Sequence, residues 1–214
     1  MFWKTFNSVL VPLFILIPII TGLYRYKTLP FKFKIIWYYL LMTVVINTAG
    51  IITARVFHTN NSPLIHVYTA IEMIMLVWFY KNLLEIKVSK KWYTLLHIAF
   101  IVVCIVNAVF FQSIYTYSSY TRSLESIICM LFALNYFAKL ASTDVKFLKE
   151  AGFYFNTGIF LYFSGAFMLF VFSNFVAVKL SKPDFLIIWN IHAVLIVLMY
   201  IFFTVGFNLN KKNG

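Results

Sequence analysis

Seven runs of apolar residues, each close to the length of a membrane crossing, leave this chain little choice of fold. They fall at approximately 7–24, 35–57, 64–83, 93–115, 121–141, 153–178 and 185–208, each near the roughly 20 residues that a bilayer core demands. The polar connections are too short for a soluble domain. The expectation is therefore one domain, 1–214, an all-α membrane protein of seven transmembrane helices. Only 11% of the residues are charged and 63% are hydrophobic, whereas soluble domains carry roughly 25% charged residues. Cys104 and Cys129 both lie inside apolar runs, where they act as small hydrophobes, and no disulfide is expected. The opening MFWKTFNSVLVPLF lacks a basic leader and a small-residue cleavage site, so it reads as a retained first helix.

A net charge of +12 would suggest nucleic acid in a soluble chain; here it is explained by which loops hold the lysines, and no nucleic-acid partner is expected. Positive residues are retained on the cytoplasmic side of a membrane. Arg25, Lys27, Lys32, Lys34, Lys81, Lys87, Lys90, Lys91, Lys139, Lys146, Lys149, Lys211 and Lys212 flank one side, while Lys4, Arg55, Arg122, Lys179 and Lys182 flank the other. The N-terminus is expected outside and the C-terminus in the cytoplasm, with the chain in a bacterial inner membrane. Trp37, Trp78 and Trp92 fall near the inner boundary, as interfacial aromatic belts predict. The basic face also suits anionic lipid or an acidic partner.

Within the segments, Pro12 and Pro18 are expected to kink the first helix. Asn47, Thr48, Gly50 and Thr53 form a small and polar stripe suited to close packing in the second. Gly158 and Gly165, seven residues apart in the sixth, lie on one face and read as a packing seam.

The stretch Asn60 to Glu72, NNSPLIHVYTAIE, carries a carboxylate into the third span, roughly 9–10 Å from the helix start. An ionisable group at that depth is costly and asks for a partner or a function. Sorted by depth, Arg55, Glu72, Arg122 with Glu125, and Trp189, Asn190 and His192 all belong to the outer third. Tyr68 and Glu72 share a helical face, as do Arg122, Glu125 and Cys129, and also Trp189 and His192. One reading is a polar pocket open to the outside, anchored by Glu72 and His192. The other is a buried ion-pair network that fixes helix packing. His66 and His58 fall at the outer boundary and read as solvated; His97 is remote from the others. A zinc set of His66, His192, Glu72 and Glu125 is geometrically conceivable, but scattered histidines favour no metal and no haem, and no cofactor is expected.

No lysine lies between Lys182 and Lys211, which removes the Schiff-base lysine of a retinal protein. Phosphate loops, nucleophile elbows and HExxH patterns are lacking, so no enzyme activity is expected, a membrane hydrolase being a minor alternative. Small sugar transporters also have seven helices, but their proline–glutamine signature and internal repeat are missing.

Three stretches, NNSPLIHVYTAIE at 60–72, FNTGIFLYFSG at 155–165 and WNIH at 189–192, resemble uncharacterised seven-helix membrane proteins of the Bacteroidota type, found beside or fused to sensor histidine kinases. The resemblance implies a membrane input module and singles out His66, Tyr68, Glu72, Asn156, Ser164, Trp189 and His192. No kinase domain follows Gly214, so the expected output is a separate cytoplasmic partner, a histidine kinase by resemblance. The expected function is a receptor-like or sensory module; the alternatives are a non-catalytic subunit of a membrane complex and a small-solute transporter using Asn47, Asn107, Asn135 and Asn156.

Overall fold

The computed structural model describes residues 10–85, 90–143, 146–179 and 182–209. Residues 7–9 of the expected first segment, and Lys4, Lys87, Lys211 and Lys212, lie outside the described residues, as do the side chains of Lys90, Lys182 and Pro183. All regular structure among the described residues is helical: α1 (Val11–Phe14), α2 (Leu16–Arg25), α3 (Phe31–Arg55), α4 (Ser62–Leu84), α5 (Lys90–Val106, extended by a π-helical turn, Asn107–Phe111), α6 (Ser119–Ala141), α7 (Ala151–Lys179) and α8 (Lys182–Leu209). Six of these helices are long and apolar enough to cross a membrane, and α1 with α2 forms a shorter apolar helix over Val11–Arg25. The chain is a multi-pass helical membrane protein, since such helices satisfy every backbone group internally while presenting side chains to lipid.

The first segment is broken at Ile15. Pro18 lacks the amide that would bond back to the carbonyl of Phe14, and its ring crowds that carbonyl. Pro12 behaves differently from expectation: it occupies the opening turn of α1, where the missing donor costs nothing. The Trp37 indole donates to the Ile19 carbonyl at 3.0 Å and ties the broken helix to α3.

The expected fourth segment, 93–115, ends early. Its helix widens into the π turn and stops at Phe111, with Gln112 extended. A polar knot explains the stop: Gln112 N–H donates to the Asn107 carbonyl at 2.8 Å, Asn107 Nδ2 donates to Gln112 Oε1 at 3.1 Å, and Gln112 Nε2 donates to Ser119 Oγ at 2.6 Å. Asn107 therefore sits at a helix end, its side chain bonded to Gln112.

The helices pack as a ring, α2 against α3, α3 against α4, α4 against α6, α6 against α7, α7 against α8, and α8 back on α2. α5 leans on the outside of α4, with only 11% of its span buried. The sixth-segment seam is used: a β-carbon on Gly158 would stand 3.2 Å from the Met199 carbonyl oxygen, and one on Gly165 would meet Leu195. The second-segment stripe is no seam. Asn47 and Thr48 are exposed, and Gly50 alone is buried, its carbonyl accepting from Asn61 Nδ2 at 3.4 Å.

One end of the ring is solid. Phe155 of α7 meets Phe33 of α3 and Phe207 of α8, each with ring centroids 4.8 Å apart, and also Phe203 and Phe79. At this end Glu85 caps α4 with a left-handed backbone and lies 3.5 Å from Lys32 and 3.4 Å from Lys139. The Lys139 ammonium, then that of Lys32, holds the Glu85 carboxyl below its usual range. This exposed contact contributes above the ordinary carboxylate pKa and fades as pH falls through the lowered one. Arg25, Lys27, Lys34, Lys81, Lys91, Lys146 and Lys149 belong to the same end by chain order.

Replacing Gly158 by leucine should destabilise the bundle by about 1–3 kcal/mol through overpacking against α8. A lower unfolding temperature in detergent checks this. Gly50→Ala should leave it unchanged or higher, because its β-carbon meets only Asn61 Nδ2 at 3.6 Å.

Candidate functional site

In the first turn of α6, Arg122 is buried. One terminal nitrogen, Nη1, bonds Glu72 Oε2 of α4 and, at 2.9 Å, Glu125 Oε2 on its own helix. The other, Nη2, donates to the Tyr162 hydroxyl of α7 at 3.1 Å. The three-residue step from Arg122 to Glu125 puts both on one helical face. Its guanidinium also lies over the Phe170 ring, 4.6 Å from the centroid. Glu72 is the better satisfied carboxylate, its Oε1 accepting from the hydroxyls of Tyr39 at 2.7 Å and Tyr68 at 2.8 Å. Among the described residues, Glu125 Oε1 and Arg122 Nε have no hydrogen-bond partner.

A cavity of about 920 Å³ lies above this cluster and is bounded by loop residues such as Gln112, Tyr115, Thr116 and Tyr117. Its wall includes Tyr39, Thr43, Tyr68, Arg122, Tyr162, Trp189 and His192. It is rich in aromatic rings and neutral polar groups, the composition of a small-molecule site. Glu72 and Glu125 are fully buried and do not line it. The expected role of Glu72 as a pocket anchor is corrected accordingly: Tyr39, Tyr68 and Arg122 stand between it and the cavity, and it acts on that space through them.

The other sequence-derived residues divide. His192 lines the cavity, and its Nε2 lies 3.2 Å from the Tyr162 hydroxyl. Because that hydroxyl oxygen accepts from Arg122, its own proton is available to His192. Trp189 packs edge-on against His192 at 5.3 Å. Asn190 departs from the cluster, one turn segment around α8, and faces an apolar groove with Ile187, Ile191, Val194 and Leu195. His66 is half-buried, not simply solvated; its Nε2 meets the Thr116 carbonyl at 3.1 Å and pins α4 to the loop before α6. Arg55 is not a partner of the carboxylates. It is exposed at the end of α3 and borders an adjoining chamber of about 350 Å³ that shares Asn47 and Asn61 with the cavity.

Asn156 and Ser164 lie apart from the cavity wall. Asn156 accepts from Tyr80 at 3.0 Å and donates to the Ala133 carbonyl at 3.2 Å, a packing bond between α4, α6 and α7. Ser164 bonds its own helix at Leu161. The conceivable zinc set does not converge: Glu72 and Glu125 are engaged by Arg122, and among the described residues no three His, Cys, Asp or Glu side chains could hold a metal ion.

Tyr39, Thr43, Tyr162, Gln112, Ser119 and Asn174 escape the sequence reading. Asn174 Nδ2 donates to Ser119 Oγ and to the Tyr117 carbonyl, both at 3.1 Å, and so closes α7 onto the loop. Gln112, the only glutamine in the chain, at the tail of an apolar run, was a legible signal. Tyr39 and Tyr162 were not, because tyrosine is common in this sequence and its hydroxyl can serve a core or a site equally.

No family model, curated protein or solved structure matches this chain.

Removing the cation should be the most damaging change. Arg122→Met leaves two buried carboxylates uncompensated and should cost about 3–5 kcal/mol. Glu72→Gln should cost more than Glu125→Gln, since the single amide oxygen can serve either the two phenols or Arg122 but not both, whereas Glu125 has only one engaged oxygen to replace. Thermal unfolding of the three purified variants gives the order.

Proposed function

We propose that the chain is a receptor-like seven-helix module of a bacterial cytoplasmic membrane, non-catalytic, taking a small ligand into the tyrosine-lined cavity. The supporting observation is the one-ended cavity: about 920 Å³ of polar and aromatic space lies toward the loops, while the other end is filled by the Phe155 aromatic cluster. In this reading α1 and α2 belong to a seventh crossing, and the lysine-rich end faces the cytoplasm by the retention of positive charge. Arg122 strengthens that asymmetry, since its charge is spent inside the bundle on Glu72 and Glu125 rather than on the outer flank.

The basic end would then meet a cytoplasmic partner, a histidine kinase if the family resemblance holds. A ligand can shift such a partner only by binding two arrangements of the helices with different affinity. The helices best placed to differ are α4, α6, α7 and α8, whose side chains Tyr68, Arg122, Tyr162 and His192 meet at the cavity. A role as a subunit of a membrane complex gains support from one feature. The ion cluster links α4, α6 and, through Tyr162, α7, as a packing lock does.

Cysteine accessibility separates these roles. In intact cells, Asn47→Cys and Asn174→Cys should react with a membrane-impermeant thiol reagent from outside, and Asn156→Cys should not react from either side. Labelling of Asn156→Cys from the cytoplasm would instead indicate a transport path. Absence of labelling at both cavity positions would remove the outward-open pocket.

A further inference from the structure

The cavity wall carries three oxygens whose own protons are committed elsewhere. Tyr39 and Tyr68 both donate to Glu72 Oε1, at 2.7 and 2.8 Å, and Thr43 Oγ1 donates to the Tyr39 carbonyl at 2.9 Å. The two phenol oxygens are 3.3 Å apart, and Thr43 Oγ1 lies 3.4 Å from that of Tyr68. All three residues line the cavity. With their hydrogens turned away, these oxygens present only lone pairs to an occupant, so they form a compact acceptor surface.

Charge points the same way. Behind the acceptors, two carboxylates face one guanidinium, so the Arg122 charge is already engaged by carboxylate oxygens and is not left over for an anion. Arg55 borders the adjoining chamber and is absent from the wall of this one. An anion would meet an Arg122 already neutralised and a wall of acceptors. A neutral hydroxyl would supply one donor for three lone-pair sites. An ammonium group supplies three N–H donors and a positive charge. Arg122 adds a donor side chain to the same wall.

We propose that the cavity recognises a small primary amine, whose ammonium group sits on Tyr39, Tyr68 and Thr43 and whose body carries an acceptor oxygen toward Arg122. This rests on the ligand-pocket reading and names the class of ligand. The aromatic wall suits an aromatic amine, which stacks on tyrosine while its ammonium group is held.

Tyramine is a direct probe, against 4-ethylphenol, which lacks the amine, and 4-hydroxyphenylacetate, which places a carboxylate there. Binding is measured on the purified full chain in lipid nanodiscs by isothermal titration. Tyramine should bind at least about tenfold more tightly than either analogue, the weight of one charge-assisted hydrogen bond or more. Thr43→Val should weaken tyramine by about tenfold while leaving the unfolding temperature nearly unchanged, because it removes an acceptor without touching Glu72. Tyr68→Phe should weaken it further. Equal or tighter binding of the neutral or anionic probe, unaltered affinity in Thr43→Val, or no tyramine binding at millimolar concentration each overturns the amine assignment. If an analogue still binds, or Asn47→Cys still labels from outside, the pocket itself survives; failure of both removes it too.

Discussion

A guanidinium held away from water between two carboxylates is the interaction on which the rest of this bundle depends. Arg122 cannot lose its proton, and neither lipid nor the aromatic core can solvate it. Its partners must therefore come from neighbouring helices at the right depth. Glu72 brings α4, and Tyr162 brings α7. Tyr39 brings α3 through Glu72, and His192 brings α8 through Tyr162. Five helices are thus fixed in register by one network, each member of which would be costly to bury alone. Apolar contacts between spans are weakly directional by comparison, because lipid tails offer much the same environment.

That network also explains why the cavity is where it is. Side chains committed to Arg122 are drawn toward the ring axis at one level, and below it Phe155, Phe203 and Phe207 fill the axis completely. Above it the loop that precedes α6 borders the cavity. The Gln112, Asn107 and Ser119 knot ends α5 early, and Asn174 and His66 fasten the loop to α7 and α4. A loop tied at three places can roof a space without filling it. The same polar bonds that shorten α5 leave it peripheral, so the ring closes through α4 and α6 instead.

How much of this the sequence disclosed depends on which physical signal carries it. The helical membrane class and the rough places of the apolar segments were legible because hydropathy is a property of composition; six of the segments proved long enough to span, and the first is a shorter apolar helix. The juxtaposition of Glu72, Arg122, Glu125 and His192 was legible through depth and helical face alone. Arg55 and Asn190 shared the depth but not the face, and depth cannot reveal rotation about a helix axis. The end of α5 at Phe111 was marked in the sequence only by the polar pair Gln112 and Ser113, and the amide bond between Asn107 and Gln112 that makes the turn shows only in the structure. Tyr39 and Tyr162 escaped because a tyrosine's role is set by what its hydroxyl reaches across the bundle.

The division of labour between lock and pocket follows from which atoms face which way. Glu72, the residue most conspicuous in the sequence, is hidden from the cavity, yet it orients the phenols that line it. A carboxylate that accepts two phenolic protons converts two ordinary donors into two acceptors at the wall, so a structural ion pair can set ligand preference without touching ligand. Locking and recognition are then not rival accounts of the cluster. The lock supplies fixed hydroxyl orientations, and under the proposed ligand role such orientations would give an otherwise generic aromatic cavity a preference for one polarity of guest.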